Sequence, residues 1–168
     1  MENKFTTYWE GEKINNLKSL IKKFEIENNY ILPKLYKKFK FKFNNTSICQ
    51  NCFNFISKRI EKDIIFIKFL EFGSKEEVSE PIEQEQKHLN DPLYYGVPGL
   101  VAFASTAEGD TLCFDYRDNP KTSEPKVILL VHDEYEETNG VEHMKIEPIA
   151  NSFNEFLDML YEYKDEEE

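Results

Sequence analysis

Apolar residues recur at steps of three and four in EKINNLKSLIKKFEIENN, where Ile14, Leu17, Ile21 and Phe24 are separated by polar residues. That period puts them on one stripe of a surface helix, and the pair Asn28-Asn29 is suited to end it. LPKLYKKF predicts a second helix, with Pro33 suited to the first turn and Leu32, Leu35, Tyr36 and Phe39 on one side. In residues 63–72, DIIFIKFLEF, the period falls to two and the composition turns β-branched and aromatic. Neither set of alternate positions there is wholly polar, so the segment reads as a strand covered on one face and at least half covered on the other. Residues 73–92, broken by Gly73, Pro81 and Pro92, read as a loop with one short helix.

Four further strands are predicted at 99–105, 111–116, 126–131 and 142–147. The first two lie close enough to form a hairpin around Ala107-Glu108-Gly109-Asp110, while NPKTSEP and DEYEETNG read as connections. In the closing NSFNEFLDMLYEYKDEEE, Ser152 and Glu155 have capping-box spacing, and Phe153, Phe156, Leu157, Leu160 and Tyr161 form an apolar stripe. Residues 165–168 are expected to be a frayed acidic tail. Helices packed on a sheet follow, in a single domain over residues 1–168.

Composition narrows the function classes. With 40% hydrophobic residues and 14 Phe, the charged fraction of 32% belongs to a packed globule with a charged exterior, not to a disordered chain. No stretch approaches the roughly 20 apolar residues that cross a bilayer, and the start lacks a secretory pattern, so a cytoplasmic chain without membrane association is expected. The net charge of −11 is uneven: residues 1–42 carry ten lysines against five acids, and residues 43–168 carry 11 basic against 27 acidic residues. A local +5 therefore sits beside a local −16, a field that repels nucleic acid and attracts basic partners. The sequence leaves the oligomeric state open.

Lys34, Lys37, Lys38, Lys40 and Lys42 read as a solvated helix face, with a contact to an anionic protein as a further possibility. Without an arginine among them, and with the rest of the chain acidic, they make a poor nucleic-acid patch. Cys49 and Cys52 have the spacing of half a zinc site or a redox pair, but neither a second such pair nor a nearby His pair completes it, so free thiols are the default for them and for Cys113. His132-Asp133 hints at an oriented base, yet adjacent strand residues point to opposite faces. Asp110, Asp115 and Asp118 allow a structural role, a partner-facing rim or a metal site. Gly109 and Asp110 are expected to form a tight structural turn, the glycine taking positive φ and the aspartate bonding amides behind it. There is no glycine-rich phosphate loop, HExxH or G-x-S-x-G. We expect no enzyme activity, cofactor or required metal.

The ordered set Leu32-Pro33, Tyr36, Pro98, Phe103-Ala104, Gly109-Asp110, Phe114-Asp115, Val127, Ala150, Ser152-Phe153 and Glu155-Phe156-Leu157 resembles the SMI1/KNR4 family of the SUKH superfamily. Asn44-Asn45 departs from it, since many relatives have a glycine-containing turn there. The resemblance implies an α+β fold in which a mixed or mainly antiparallel sheet packs with N-terminal helices and a C-terminal helix. Bacterial members resemble immunity proteins that neutralise a cognate toxin, often a nuclease, of a polymorphic or contact-dependent system, and fungal members are regulators. The expected partner is thus a basic protein toxin occluded stoichiometrically, with a regulatory or scaffolding interaction module as the alternative. Candidate rim residues are Glu76, Glu77, Glu80, Glu83, Glu85, Asp115, Asp118, Asp133, Glu134, Glu136 and Glu137. Tyr94, Tyr95, Tyr116 and Tyr135 are candidate central anchors, each also readable as a partly buried edge residue.

Overall fold

The computed structural model describes residues 4–56, 63–91, 93 and 97–165. Its first helix, α1 (Leu17–Asn28), lies between two left-handed asparagines, Asn16 at φ 59° and Asn29 at φ 57°. Asn29 donates its N–H to the Glu25 and Ile26 carbonyls and so closes the last turn. Helix α2 (Lys34–Phe43) follows Pro33 and buries Tyr36, Phe39 and Phe43. Lys40 lies on that same side and is fully buried, so it does not belong to a solvated lysine face. The period of the helix requires this, because position 40 is four residues from Tyr36 and three from Phe43.

Six strands form an antiparallel meander in chain order: β3 (Cys52–Phe55), β4 (Asp63–Phe69), β5 (Leu100–Thr106), β6 (Thr111–Asp115), β7 (Lys126–Thr138) and β8 (Val141–Ala150). A separate antiparallel pair joins β1 (Thr7–Glu10) to β2 (Thr46–Ile48). Helix α3 (Ile82–Asn90) is the short helix expected in the acidic segment, and α4 (Phe153–Met159) closes the chain. The fold is α+β with a mainly antiparallel sheet, as the residue pattern and the resemblance imply. At α4 the Ser152 hydroxyl accepts the Glu155 N–H at 3.1 Å, while the Glu155 carboxylate takes the Asn151 N–H at 3.0 Å. Both bonds satisfy N–H groups at the start of the helix that have no intrahelical acceptor. Of the expected tail only Asp165 is described, exposed and outside any element.

Strands β5 and β6, and Val127–Leu130 of β7, are buried on both faces. On one face Phe103 stacks on Phe114 with centroids 4.4 Å apart, and it meets Tyr36, Phe153 and Phe156 edge-on. These contacts join α2 and α4 to the middle of the sheet through offset and T-shaped aromatic geometry. Phe103 sits at a β-bulge, where the register slips between Ala102 and Ala104. The Gln86 side chain of α3 accepts the Ala102 N–H at 2.9 Å and donates to the Leu100 carbonyl at 3.0 Å. One buried amide thus satisfies the backbone beside the bulge.

A second polar knot lies under α2. The Lys40 ammonium is paired with the Glu71 carboxylate and donates to the Leu70 carbonyl at 2.8 Å, and the same carboxylate accepts the Asn45 N–H at 2.8 Å. Asn45 is left-handed at φ 54°, and Asn44 exchanges two hydrogen bonds with the Phe72 backbone. Asn45 thus supplies the left-handed backbone of the Asn44-Asn45 turn without a glycine.

Candidate protein-interaction surface

The last two strands build an arm. From His132 to Glu142 every residue is exposed, whereas Val127–Leu130 of the same strand are in the core. Asn139 and Gly140 connect β7 and β8 with both φ values positive, 52° and 77°, which is the conformation of a two-residue hairpin turn matched to strand twist. Residues 133–140 are therefore hairpin strand and turn, not a loose connection. The Asn-Gly dipeptide was the signal for this, but the acidic run around it hides the alternation.

Register across the arm pairs Tyr135 with Met144, Glu136 with His143, Glu137 with Glu142 and Thr138 with Val141. Tyr135 is 56% exposed, as is Val141. Glu137 faces Glu142 directly, a like-charge cross-strand pair that disfavours the isolated hairpin. Lys145 is held by Glu134 at 3.3 Å and Glu147 at 2.6 Å. The His143 ring bonds the Met144 carbonyl and the Thr138 hydroxyl at 2.7 and 2.8 Å, which fixes Nδ1 as the protonated nitrogen.

At the base of the arm the register jumps between Val131 and Tyr135, and Asp133 takes φ 60°. This bulge breaks strand alternation and brings Asp133 Oδ2 to 3.3 Å from His132 Nε2, correcting the expectation that the two side chains point apart. Both are exposed, and the pair decorates the surface. Asp110 anchors the bulge by accepting the His132 N–H at 2.7 Å. Gly109 has the expected positive φ, 93°, but Asp110 reaches across to β7 where bonding within its own turn was expected. In return the Thr106 hydroxyl accepts the Asp110 N–H at 3.0 Å.

Burial raises the Asp110 carboxyl above its ordinary pKa; the His132 N–H opposes this and the Glu108 charge adds to it. A raised folded-state value means that the stabilising contribution is complete below the unfolded pKa and is lost as pH rises through the folded one. Asp110→Ala should lower unfolding free energy by about 1–2 kcal/mol through loss of a charge-assisted bond. Asp110→Asn keeps an acceptor and removes the desolvated charge, so it should match or exceed the parent at neutral pH, with any gain vanishing in acid. Urea unfolding of both variants across pH checks the pair.

The other candidate acids are dispersed and partly engaged. Glu80 accepts from the Ser105 hydroxyl at 2.7 Å and pairs with Lys68 at 3.0 Å, while Glu77 accepts the Ser74 N–H at 2.9 Å. Glu83 and Glu85 occupy the first turn of α3, where their charge complements the helix dipole. Glu76 is exposed. Burial alone would raise the Asp115 carboxyl, but its bonds from the Arg117 side chain and backbone outweigh this and hold it below the ordinary range. The Arg117 fork is bidentate, at 2.9 Å to each oxygen. Asp118 is exposed beside it, and Arg117 feels the charges of Asp118 and Glu136. Tyr116 is a core residue whose hydroxyl donates to the Ile31 carbonyl at 2.6 Å and whose ring stacks on Tyr30, so it offers no surface to a partner. Tyr94 and Tyr95 lie outside the described residues. Tyr135 is thus the candidate anchor that the fold exposes among acids, and Val141, Glu142 and Glu147 join it unforeseen.

Cys49, Cys52 and Cys113 are free thiols. Burial pushes Cys52 up and Cys113 well above the ordinary thiol range, which makes both poor nucleophiles. The Cys52 thiol donates to the Tyr161 carbonyl at 3.2 Å. Among the described residues no group of three or more His, Cys, Asp or Glu side chains could hold a metal ion, and no helix is long and apolar enough to cross a membrane.

A model of the SMI1 / KNR4 family (SUKH-1) matches residues 17–159. The chain belongs to the SMI1/KNR4 family. No curated protein and no solved structure matches it. SMI1/KNR4 membership is consistent with a non-catalytic protein-interaction or immunity module. The residues that carry the resemblance explain why it reports fold more than site: Leu32, Tyr36, Phe103, Ala104, Phe114, Val127, Phe153, Phe156 and Leu157 are all buried. The exposed acidic arm of this SMI1/KNR4 chain lies outside that set.

Proposed function

We propose that this chain is a cytoplasmic immunity protein that binds a basic toxin domain, of the kind a nuclease needs to hold phosphates, and neutralises it by stoichiometric occlusion. The observation that carries this reading is the arm: Tyr135 stands more than half exposed, flanked by Asp133, Glu134, Glu136 and Glu137, with Glu137 and Glu142 opposed. An exposed aromatic on a two-stranded support is a suitable central anchor, and the acids around it speed encounter with a basic surface and exclude acidic ones. A partner's lysine or arginine would relieve the Glu137–Glu142 repulsion, so binding gains from a strain that the free protein carries. Family membership supports a protein partner.

Co-expression with the toxin domain encoded beside this gene tests the proposal. Cell protection and a complex that survives purification at moderate salt are expected; neither protection nor complex rejects it. A gene with no toxin neighbour would favour the regulatory or scaffolding alternative. Tyr135→Ala should weaken the complex by about 2 kcal/mol, roughly 30-fold. Glu137→Lys separates binding from folding: it turns the opposed pair attractive and should leave or raise the unfolding midpoint while slowing association. Calorimetry and stopped-flow kinetics on the same variant read the two effects.

A further inference from the structure

On the lysine-rich part of the molecule, α1 and α2 enclose a groove of about 450 Å³. Buried Ile21 forms its floor, and Phe41, 52% exposed, forms a wall. Lys18 and Lys22 stand four residues apart on α1, and Lys34 and Lys38 four apart on α2, so each helix brings one row of like charge to the groove. Glu25 also lines it, but its carboxylate is already engaged by Lys37 and by the Leu32 N–H, each at 2.8 Å. Lys18, Lys22, Lys34 and Lys38 are exposed and form no ion pair among the described residues.

We infer that this groove docks an acidic peptide segment of another protein, which inserts one large apolar side chain between α1 and α2 and sets carboxylates against the two lysine rows. Charge complementarity selects the ligand's sign, and the apolar floor and wall select its anchor. The concavity, with Ile21 below and Phe41 beside it, suits a single inserted side chain better than a flat bilayer. Lysines without arginine likewise suit scattered carboxylates better than bidentate phosphate recognition. The site uses the opposite charge from the arm and rests on no part of the immunity reading.

The test is an NMR titration of the ¹⁵N-labelled full chain with a short synthetic peptide rich in Asp and Glu around a central Phe. Its controls are the same peptide with Ala for Phe, vesicles of phosphatidylcholine and phosphatidylserine, and a single-stranded oligonucleotide. Saturable shifts confined to Ile21, Phe41 and the lysines around them are expected, with the Ala peptide about tenfold weaker, equivalent to one anchor's loss of about 1.4 kcal/mol. Lys22→Glu combined with Lys38→Glu should weaken the Phe peptide about tenfold or more. Circular dichroism and toxin protection should be unchanged in that variant, which separates failure here from failure of the immunity reading. Equal binding of the two peptides, unsaturable shifts, or tighter binding of vesicles or oligonucleotide would overturn the inference. So would concentration-dependent self-association abolished by the same double variant, which would assign the groove to a second copy.

Discussion

Lys40→Ala is expected to lower the unfolding free energy by about 3–5 kcal/mol, because it leaves the Glu71 carboxylate buried without its counter-ion. Both partners are almost wholly inaccessible, and the ammonium also serves the Leu70 carbonyl. Burial pushes the Glu71 carboxyl up and the Lys40 amine down, each against the pull of the other charge. Both shifts have the sign of a penalty on the ionised forms: the Glu71 contribution fades as pH rises through its folded value, and the Lys40 contribution fades as pH falls through its own. The pair therefore gives neutral-pH stability little help over two hydrated ions, although breaking it is costly. Lys40→Met with Glu71→Gln follows as the complementary test. Glutamine retains an acceptor for the Asn45 N–H, methionine fills the lysine's space, and the double variant should recover most of the loss. A double-mutant cycle by chemical denaturation checks this, and a double variant as unstable as Lys40→Ala would assign the ion pair a net stabilising role.

Phe103→Ala should cost a similar amount, about 3–5 kcal/mol, for an apolar reason. The ring is fully buried and touches aromatic residues of α2, β6 and α4. The bulge at this position fixes the backbone through Gln86, so the surrounding elements have little freedom to collapse into the space left behind. Guanidinium unfolding should show a lower midpoint with an unchanged slope; a changed slope would mean that the surface exposed on unfolding had changed, through the native or the denatured state, or that unfolding was no longer two-state.

The elements that the residue pattern predicts are those whose apolar period is long enough to read. Helices α1 and α2, strands β4 to β6 and the capped α4 announce themselves through one-sided burial or caps. Strands β1, β2 and β3 span three or four residues each, too few for a period of two to stand out, and their pairing is set by tertiary contacts. The hairpin at 107–110 and the buried Ile65, Ile67 and Phe69 of β4 follow from alternation, but the other face of β4 is less covered than expected, with Phe66 and Lys68 exposed. The partner of Asp110 is not legible, because a bulge in β7, 22 residues on, decides it. Lys40 shows the same limit from the other side. A lysine in a lysine-rich helix reads as solvated by composition, and only its place in the helical period, with Glu71 thirty-one residues on, makes it a core residue. The surface was the least legible part: glutamates near in sequence are dispersed by α3 and β7, and of the described candidate tyrosines Tyr116 is in the core while Tyr135 is exposed.

The division of β7 at its bulge has a consequence in time. Amides of Val127–Leu130 lie in a ladder flanked by strands on both sides and sealed by core side chains, so their hydrogens can exchange with solvent only when the whole domain opens. Beyond Asp133 the same strand has a single neighbour, exposed side chains and little apolar cover, so its hydrogens are released by local fraying at a far smaller free energy. Deuterium uptake along this one strand should change from the slowest class to a fast one within a few residues, and a ligand seated on the arm would slow the fast class while leaving the slow one where it was.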